Sequence, residues 1–175
     1  DYVGMIFYEK SPRYVLDSLY PEDVWFLPDE VEKIGVFVNA TFDEIKKYAK
    51  LYQLNLIQLH GKESPELCKQ LQDLGYGVIK AFGVDESFDF NKLISYQSSV
   101  DFFLFDTKTS DHGGSGVTFD WNILTNYTLD IPVFIGGGVS LENLNELLNF
   151  NFPFLYSVDM NSKLEKEPGL KDILK

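Results

Sequence analysis

Asp106 closes the apolar run Phe102-Phe-Leu-Phe105 and precedes a polar stretch holding Gly113, Gly114 and Gly116. A carboxylate at the C-terminal end of a buried strand, beside a glycine-rich loop, is how barrel enzymes place general acids and bases. Read as a turn-starting acid, Asp106 would only cap its own loop. On this stretch alone both readings stay open.

Other residues able to do chemistry also follow apolar runs. Arg13, in Tyr8-Glu-Lys-Ser-Pro-Arg13, can fork onto a carboxylate or phosphate, although a solvated surface arginine is the commoner fate. His60 follows Leu59 and could exchange protons, although a lone histidine there is more often structural. Gly136-Gly-Gly138 precedes Ser140, and backbone amides of such a loop can approach an anion closely. A tight turn is the plainer reading of three glycines. Asp159-Met-Asn161-Ser162 follows Val158. In a barrel the loops after the last two strands form the usual phosphate site. Glycines after one strand and Asn-Ser after the next therefore favour phosphate over simple turns. Cys68 lies among Leu67, Leu71 and Leu74 on a helical stripe and reads as core. The two histidines and one cysteine fall in separate segments without metal-ligand spacing, so no metal site is predicted.

These residues need a scaffold that brings strand ends together. Apolar runs at Tyr2–Phe7, Ile34–Val38, Asn55–Leu59, Gly77–Phe82, Phe102–Phe105, Val133–Ile135 and Leu155–Val158 predict strands. Most starts are roughly 20 to 30 residues apart, about one βα unit. The runs are continuous and not alternating, which predicts a parallel sheet covered by helices. Thr41-Phe-Asp-Glu44 is a capping box opening a helix to Tyr52. Ser64-Pro65 opens another, to Leu74, which Gly75 ends. Ser140 opens a helix towards Leu148, and shorter pieces are expected at Pro21–Leu27 and Asp120–Leu124.

Seven strands, each followed by a helix or helix-like piece, fit an eight-unit (β/α) barrel less its first unit. An open doubly wound sheet is the competitor, but no Gly-x-Gly-x-x-Gly follows the first strand. The sequence opens flush on a core strand, from which residues upstream are expected. Residues 1–175 read as a single barrel domain starting at the second barrel strand, since no Pro/Gly/Ser-rich linker divides them.

Net charge is −12, from 15 basic and 27 acidic residues, which argues against nucleic acid and anionic membrane as partners. An anionic small substrate must then be held by local donors. With apolar content of 45% and charged content of 24%, the chain is an ordinary globular one. One cysteine excludes a disulfide framework and points to a reducing, cytoplasmic location. No run approaches the roughly 20 apolar residues of a membrane helix.

Taken together, Gly4-Met-Ile-Phe-Tyr-Glu-Lys-Ser-Pro-Arg-Tyr14, Gly35-Val-Phe-Val-Asn39, Gln58-Leu-His-Gly61, Asp106-Thr-Lys-Thr109, Gly113-Gly-Ser-Gly116 with Phe119-Asp-Trp121, Gly137-Gly138 and Pro168-Gly-Leu-Lys-Asp172 resemble the phosphoribosylanthranilate isomerase family. The motifs run in the family's order over the whole sequence. The resemblance implies a (β/α)8 TIM barrel with seven of its eight βα units present. It implies an Amadori rearrangement of N-(5-phosphoribosyl)anthranilate in tryptophan biosynthesis, with no cofactor and a phosphorylated small molecule as partner, by a monomer or homodimer. Carried over by motif, Asp106 is the general acid and Arg13 pairs with the anthranilate carboxylate. Gly137, Gly138, Asn161 and Ser162 cradle the phosphate. Asp159 lines the pocket near the sugar hydroxyls, and His60 is structural.

Two departures stand out. The family's general base is a cysteine on the first barrel strand; Cys68, on a later helix, does not match it. Loss of a general base typically costs about 10² to 10⁴-fold. Lys163 stands where the family usually has glycine after the serine. A left-handed backbone there would cost lysine about 1–2 kcal/mol; alternatively the lysine adds a cation beside the phosphate.

Other phosphate-binding barrels, such as indole-glycerol-phosphate synthase and ribulose-phosphate epimerase, share the last two loops. The epimerase needs metal ligands and the synthase needs strand-end lysines, whereas Lys80 is interior to its strand. A non-catalytic barrel remnant that binds a phosphorylated ligand is the reading from a different class. The missing base supports it; the acid, the arginine and the glycine loop weigh against it.

Overall fold

Continuous apolar runs suit strands covered on both faces, and the chain builds its sheet from them. The computed structural model describes residues 1–108 and 118–174. Seven strands are hydrogen-bonded in chain order: β1 (Tyr2–Ile6), β2 (Glu32–Phe37), β3 (Leu56–Leu59), β4 (Gly77–Val84), β5 (Phe102–Thr107), β6 (Val133–Ile135) and β7 (Leu155–Val158). The registered pairs among them are parallel. β5 runs on past Phe105 through Asp106 to Thr107, so the candidate acid belongs to the strand itself.

Two helices start where the capping residues predict. In α1 (Phe42–Leu51) the Thr41 hydroxyl accepts the Glu44 amide at 3.3 Å. In α2 (Pro65–Asp73) the Ser64 hydroxyl accepts the Leu67 amide at 3.4 Å and proline fills the first turn, where no amide is needed. Gly75, at φ +90°, turns the chain out of α2. Each helix buries one stripe, Ile45 and Ala49 from α1, Cys68 and Leu71 from α2.

The remaining crossovers are tighter. Val15–Asp17, Pro21–Phe26, Phe90–Tyr96 and Trp121–Asn126 are 3₁₀ segments. α3 (Leu144–Asn149) begins later than Ser140 predicts. The reason is Asn143, whose side chain accepts the Ser140 amide at 2.8 Å and donates to the Gly138 carbonyl at 3.1 Å, closing a turn before the helix. Beyond the expected strands, a short hairpin of β8 (Glu165–Glu167) and β9 (Leu170–Lys171) pairs antiparallel around Pro168-Gly169.

By internal contacts the chain forms two compact units, Asp1–Lys80 with Ser98–Asp101, and Ala81–Gln97 with Phe102–Lys175. In the first, Phe7 stacks on Phe37 with ring centroids 5.0 Å apart and meets Tyr52 edge-on at 5.0 Å. In the second, Phe82 meets Phe103 edge-on, Phe103 stacks on Phe105, and both Phe105 and Phe152 meet Tyr127 edge-on. The Tyr127 hydroxyl donates to the Ile131 carbonyl at 2.7 Å, and burial raises its pKa. Among the described residues no helix is long and apolar enough to cross a membrane.

Candidate active site

In the second unit the C-terminal ends of β5, β6 and β7 lie side by side. Phe105 is in register with Ile135, and Ile135 with Val158. The Gly136 amide then donates to the Phe105 carbonyl at 2.9 Å, and the Asp159 amide to the Ile135 carbonyl at 2.8 Å. Asp106, Gly136 and Asp159 are the residues that follow these three strand positions.

Glycine lets the strand ends close on one another. Gly137 has φ +78°, and a Cβ there would fall on the Thr107 amide nitrogen, 2.6 Å from Asp106 Oδ1. The Thr107 hydroxyl donates to the Gly137 carbonyl at 3.3 Å and fixes this approach. At Gly136 a Cβ would stand 3.7 Å from Asp159 Oδ2. The two carboxylates therefore flank one glycine turn, Asp106 half-buried and Asp159 exposed. Asn143 pins the far side of that turn through the Gly138 carbonyl.

The hairpin supports the other loop. Lys171 Nζ donates to the Asn161 carbonyl at 3.3 Å, to Asn161 Oδ1 at 2.5 Å and to Glu165 Oε1 at 3.2 Å. Ser162 and Lys163 lie in a short 3₁₀ turn, Ser162–Leu164. Lys163 is not among the residues with positive φ, so the anticipated left-handed cost does not arise.

A surface ion pair links the ends of β4 and β5. Lys108 Nζ lies 2.5 Å from Asp85 Oδ2. The hydrogen bond from Lys108, with a second from Ser87, holds the Asp85 carboxyl down at about 2.

In the first unit, Arg13 is half-buried in the turn after β1, its amide donating to Ser11 Oγ at 3.2 Å. His60 Nδ1 lies 2.9 Å from Gln58 Nε2. Cys68 is fully buried, and that burial pushes its thiol up to about 11. It is a core residue and no nucleophile. The glycines Gly113, Gly114 and Gly116 lie outside the described residues. Among the described residues no group of three or more His, Cys, Asp or Glu could hold a metal ion. A cavity of about 340 Å³ lies elsewhere in the second unit, lined by residues including Phe88, Asn91 and Tyr127, and none of the expected site residues borders it.

Thr107, Asn143 and Lys171 complete this arrangement and were not singled out from the sequence. Thr107 and Lys171 sit inside the quoted motifs, beside residues that drew attention first. Asn143 lies within the stretch that Ser140 was expected to open as a helix.

The model of N-(5'-phosphoribosyl)anthranilate isomerase matches residues 1–175. The enzyme of that name from Parabacteroides distasonis is 45% identical over 99% of this chain and 79% of its own. The crystal structure of phosphoribosyl anthranilate isomerase from Thermotoga maritima is 38% identical, with a TM-score of 0.81 over 98% of this chain and 82% of its own. A second crystal structure, of the isomerase in complex with reduced 1-(o-carboxyphenylamino)-1-deoxyribulose 5-phosphate, is 34% identical, with a TM-score of 0.77 over 98% of this chain and 81% of its own. The sheet of strands in chain order, the carboxylates at its ends and the similarity along the whole sequence have one common account: the chain belongs to the N-(5'-phosphoribosyl)anthranilate isomerase family.

Proposed function

We propose that the protein catalyses the Amadori rearrangement of N-(5-phosphoribosyl)anthranilate to 1-(2-carboxyphenylamino)-1-deoxyribulose 5-phosphate in tryptophan biosynthesis. It does so as a single (β/α)8 barrel domain, to which these residues contribute seven of eight βα units. Asp106 protonates the furanose oxygen as the C1–O bond breaks, and the anthranilate nitrogen's lone pair forms the Schiff base. A base then takes the C2 proton, the electrons form the enolamine, and protonation at C1 with loss of the C2 hydroxyl proton leaves the C2 ketone. The resemblance assigns that base to a cysteine on a strand ahead of Tyr2.

Arg13 takes the anthranilate carboxylate as a bidentate partner. Gly137, Gly138, Asn161 and Ser162 bind the phosphate, and Asp159 faces the sugar hydroxyls. These local donors hold an anion on a protein whose overall charge is −12. No cofactor or metal enters, and the enzyme works as a cytoplasmic monomer or homodimer.

The observation that carries this reading is the contact between the Asp106 carboxylate and the Gly137 turn, which joins the candidate acid to the candidate phosphate loop. The test is the fluorescence change when N-(5-phosphoribosyl)anthranilate is added to the protein. Asp106→Asn should lower kcat by about 10² to 10⁴-fold with little change in KM. Equal turnover by the variant would remove Asp106 from the role.

A further inference from the structure

Lys80 is a charged residue in the middle of a core strand, 1% exposed. The mechanism above does not use it. Its ammonium has three protons, and three acceptors receive them: the Leu59 carbonyl at 2.9 Å, the Gly61 carbonyl at 2.9 Å and Glu63 Oε2 at 3.2 Å. Glu63 is itself 5% exposed. Besides Lys80, it accepts the Asn39 amide on Oε1 at 2.7 Å and the Gly61 amide on Oε2 at 2.9 Å. One carboxylate therefore gathers backbone donors from the turns after two different strands, β2 and β3.

The two turns also interlock directly. Asn39 Oδ1 accepts the Lys62 amide at 2.7 Å. Asn39 has φ +54°, a conformation that asparagine tolerates better than most residues. A Cβ at Gly61 would stand 2.6 Å from Asn39 Oδ1. Glu63, Lys80, Asn39 and Gly61 all belong to the first unit. Parallel α/β folds bind ligands at these C-terminal strand ends. In the same unit the turn after β1 carries Arg13, and the Phe7 amide that opens it donates to the Val36 carbonyl of β2 at 2.8 Å.

We propose that Glu63, neutralised by Lys80, is a positioning residue for the anthraniloyl end of the substrate, tying the turn after β3 to the turn after β2, whose strand neighbours the β1 strand that leads into the Arg13 turn. The inference rests on the isomerase reading and goes beyond it, since neither residue touches substrate. A buried ion pair is seldom kept for stability alone, because apolar residues of similar volume often serve as well. Here the carboxylate cannot be replaced by an apolar group without releasing the Asn39 and Gly61 amides.

The test compares the parent protein with Glu63→Met/Lys80→Met, which removes both charges together. Two ligands are titrated: reduced 1-(o-carboxyphenylamino)-1-deoxyribulose 5-phosphate, which carries both the anthraniloyl and the phosphate group, and inorganic phosphate, which lacks the anthraniloyl group. The expected result is a folded variant that binds the reduced analogue about tenfold more weakly and phosphate as the parent does. An unchanged affinity for the analogue overturns the proposal, and so does an equal loss for both ligands, which would mark general loosening. If the double variant does not fold, Glu63→Gln is judged by the same criteria, since an amide of the same size cannot accept all these donors. A parent that binds neither ligand would instead refute the isomerase reading.

Discussion

Asp106 and Gly137 meet so closely that no side chain fits between them: a Cβ on Gly137 would lie 2.6 Å from Asp106 Oδ1. The strand-end acid and the glycine turn are thus one mechanical piece. Gly137→Ala should strain a backbone at φ +78° and push Thr107 and Asp106 aside. The conformational part alone is worth about 1–2 kcal/mol. A lower melting temperature together with a fall in kcat/KM is expected; full activity would show that the turn can move without disturbing the acid.

The hairpin carries a second prediction. Lys171 holds Asn161 by both its carbonyl and its side chain. Lys171→Met should let that loop drift and raise KM by about threefold to tenfold, with kcat kept. Lys163→Ala asks a different question, whether the lysine adds a cation beside the phosphate; KM rises if it does and stays constant if it does not.

Acid stability should register Asp85. Its carboxyl is held at about 2 in the folded protein against an ordinary 3.8, so the folded state favours the ionised form. The resulting contribution is present above about pH 4 and is lost as pH falls towards about 2. Asp85→Asn should flatten the loss of stability across that window, read as urea midpoints at successive pH values. At neutral pH the variant's midpoint should lie slightly below the parent's, by a small amount because the pair with Lys108 is exposed, and the gap should close as the pH approaches about 2.

Cys68 should resist thiol reagents until the protein unfolds, since it is fully buried and its thiol is pushed up to about 11. Labelling of the native protein at pH 8 should be negligible, and labelling in denaturant complete. Cys68→Ser should lower stability by about 1–3 kcal/mol by burying a hydroxyl in a site shaped for sulfur.

The strands could be read from the chain because each is a short apolar run, and the first two helices because Thr41 and Ser64 announce them. The 3₁₀ segment Phe90–Tyr96 carries no comparable stripe, and only Asp89, which accepts the Asn91 amide, marks its start. The hairpin had a signal in Pro168-Gly169, but its strands are charged and two or three residues long, too short to show a period. Asp106 and Gly137 could be named separately in the sequence; their contact depends on the register of β5 with β6, which no local pattern encodes. Glu63 carries no local signal in the sequence, and Lys80 stands out only as a charge interior to its strand. Only tertiary pairing makes each explain the other.

Because hydrogen-bonded strand order repeats chain order, every strand's earlier neighbour is also the one made just before it. During synthesis a new strand leaves the ribosome with its docking edge already present, and no later segment must be awaited to pair it. Growth can proceed strand by strand, with short loops to close at each step. A pause in translation would then leave a shorter sheet of the same kind, with one strand edge waiting for the next arrival.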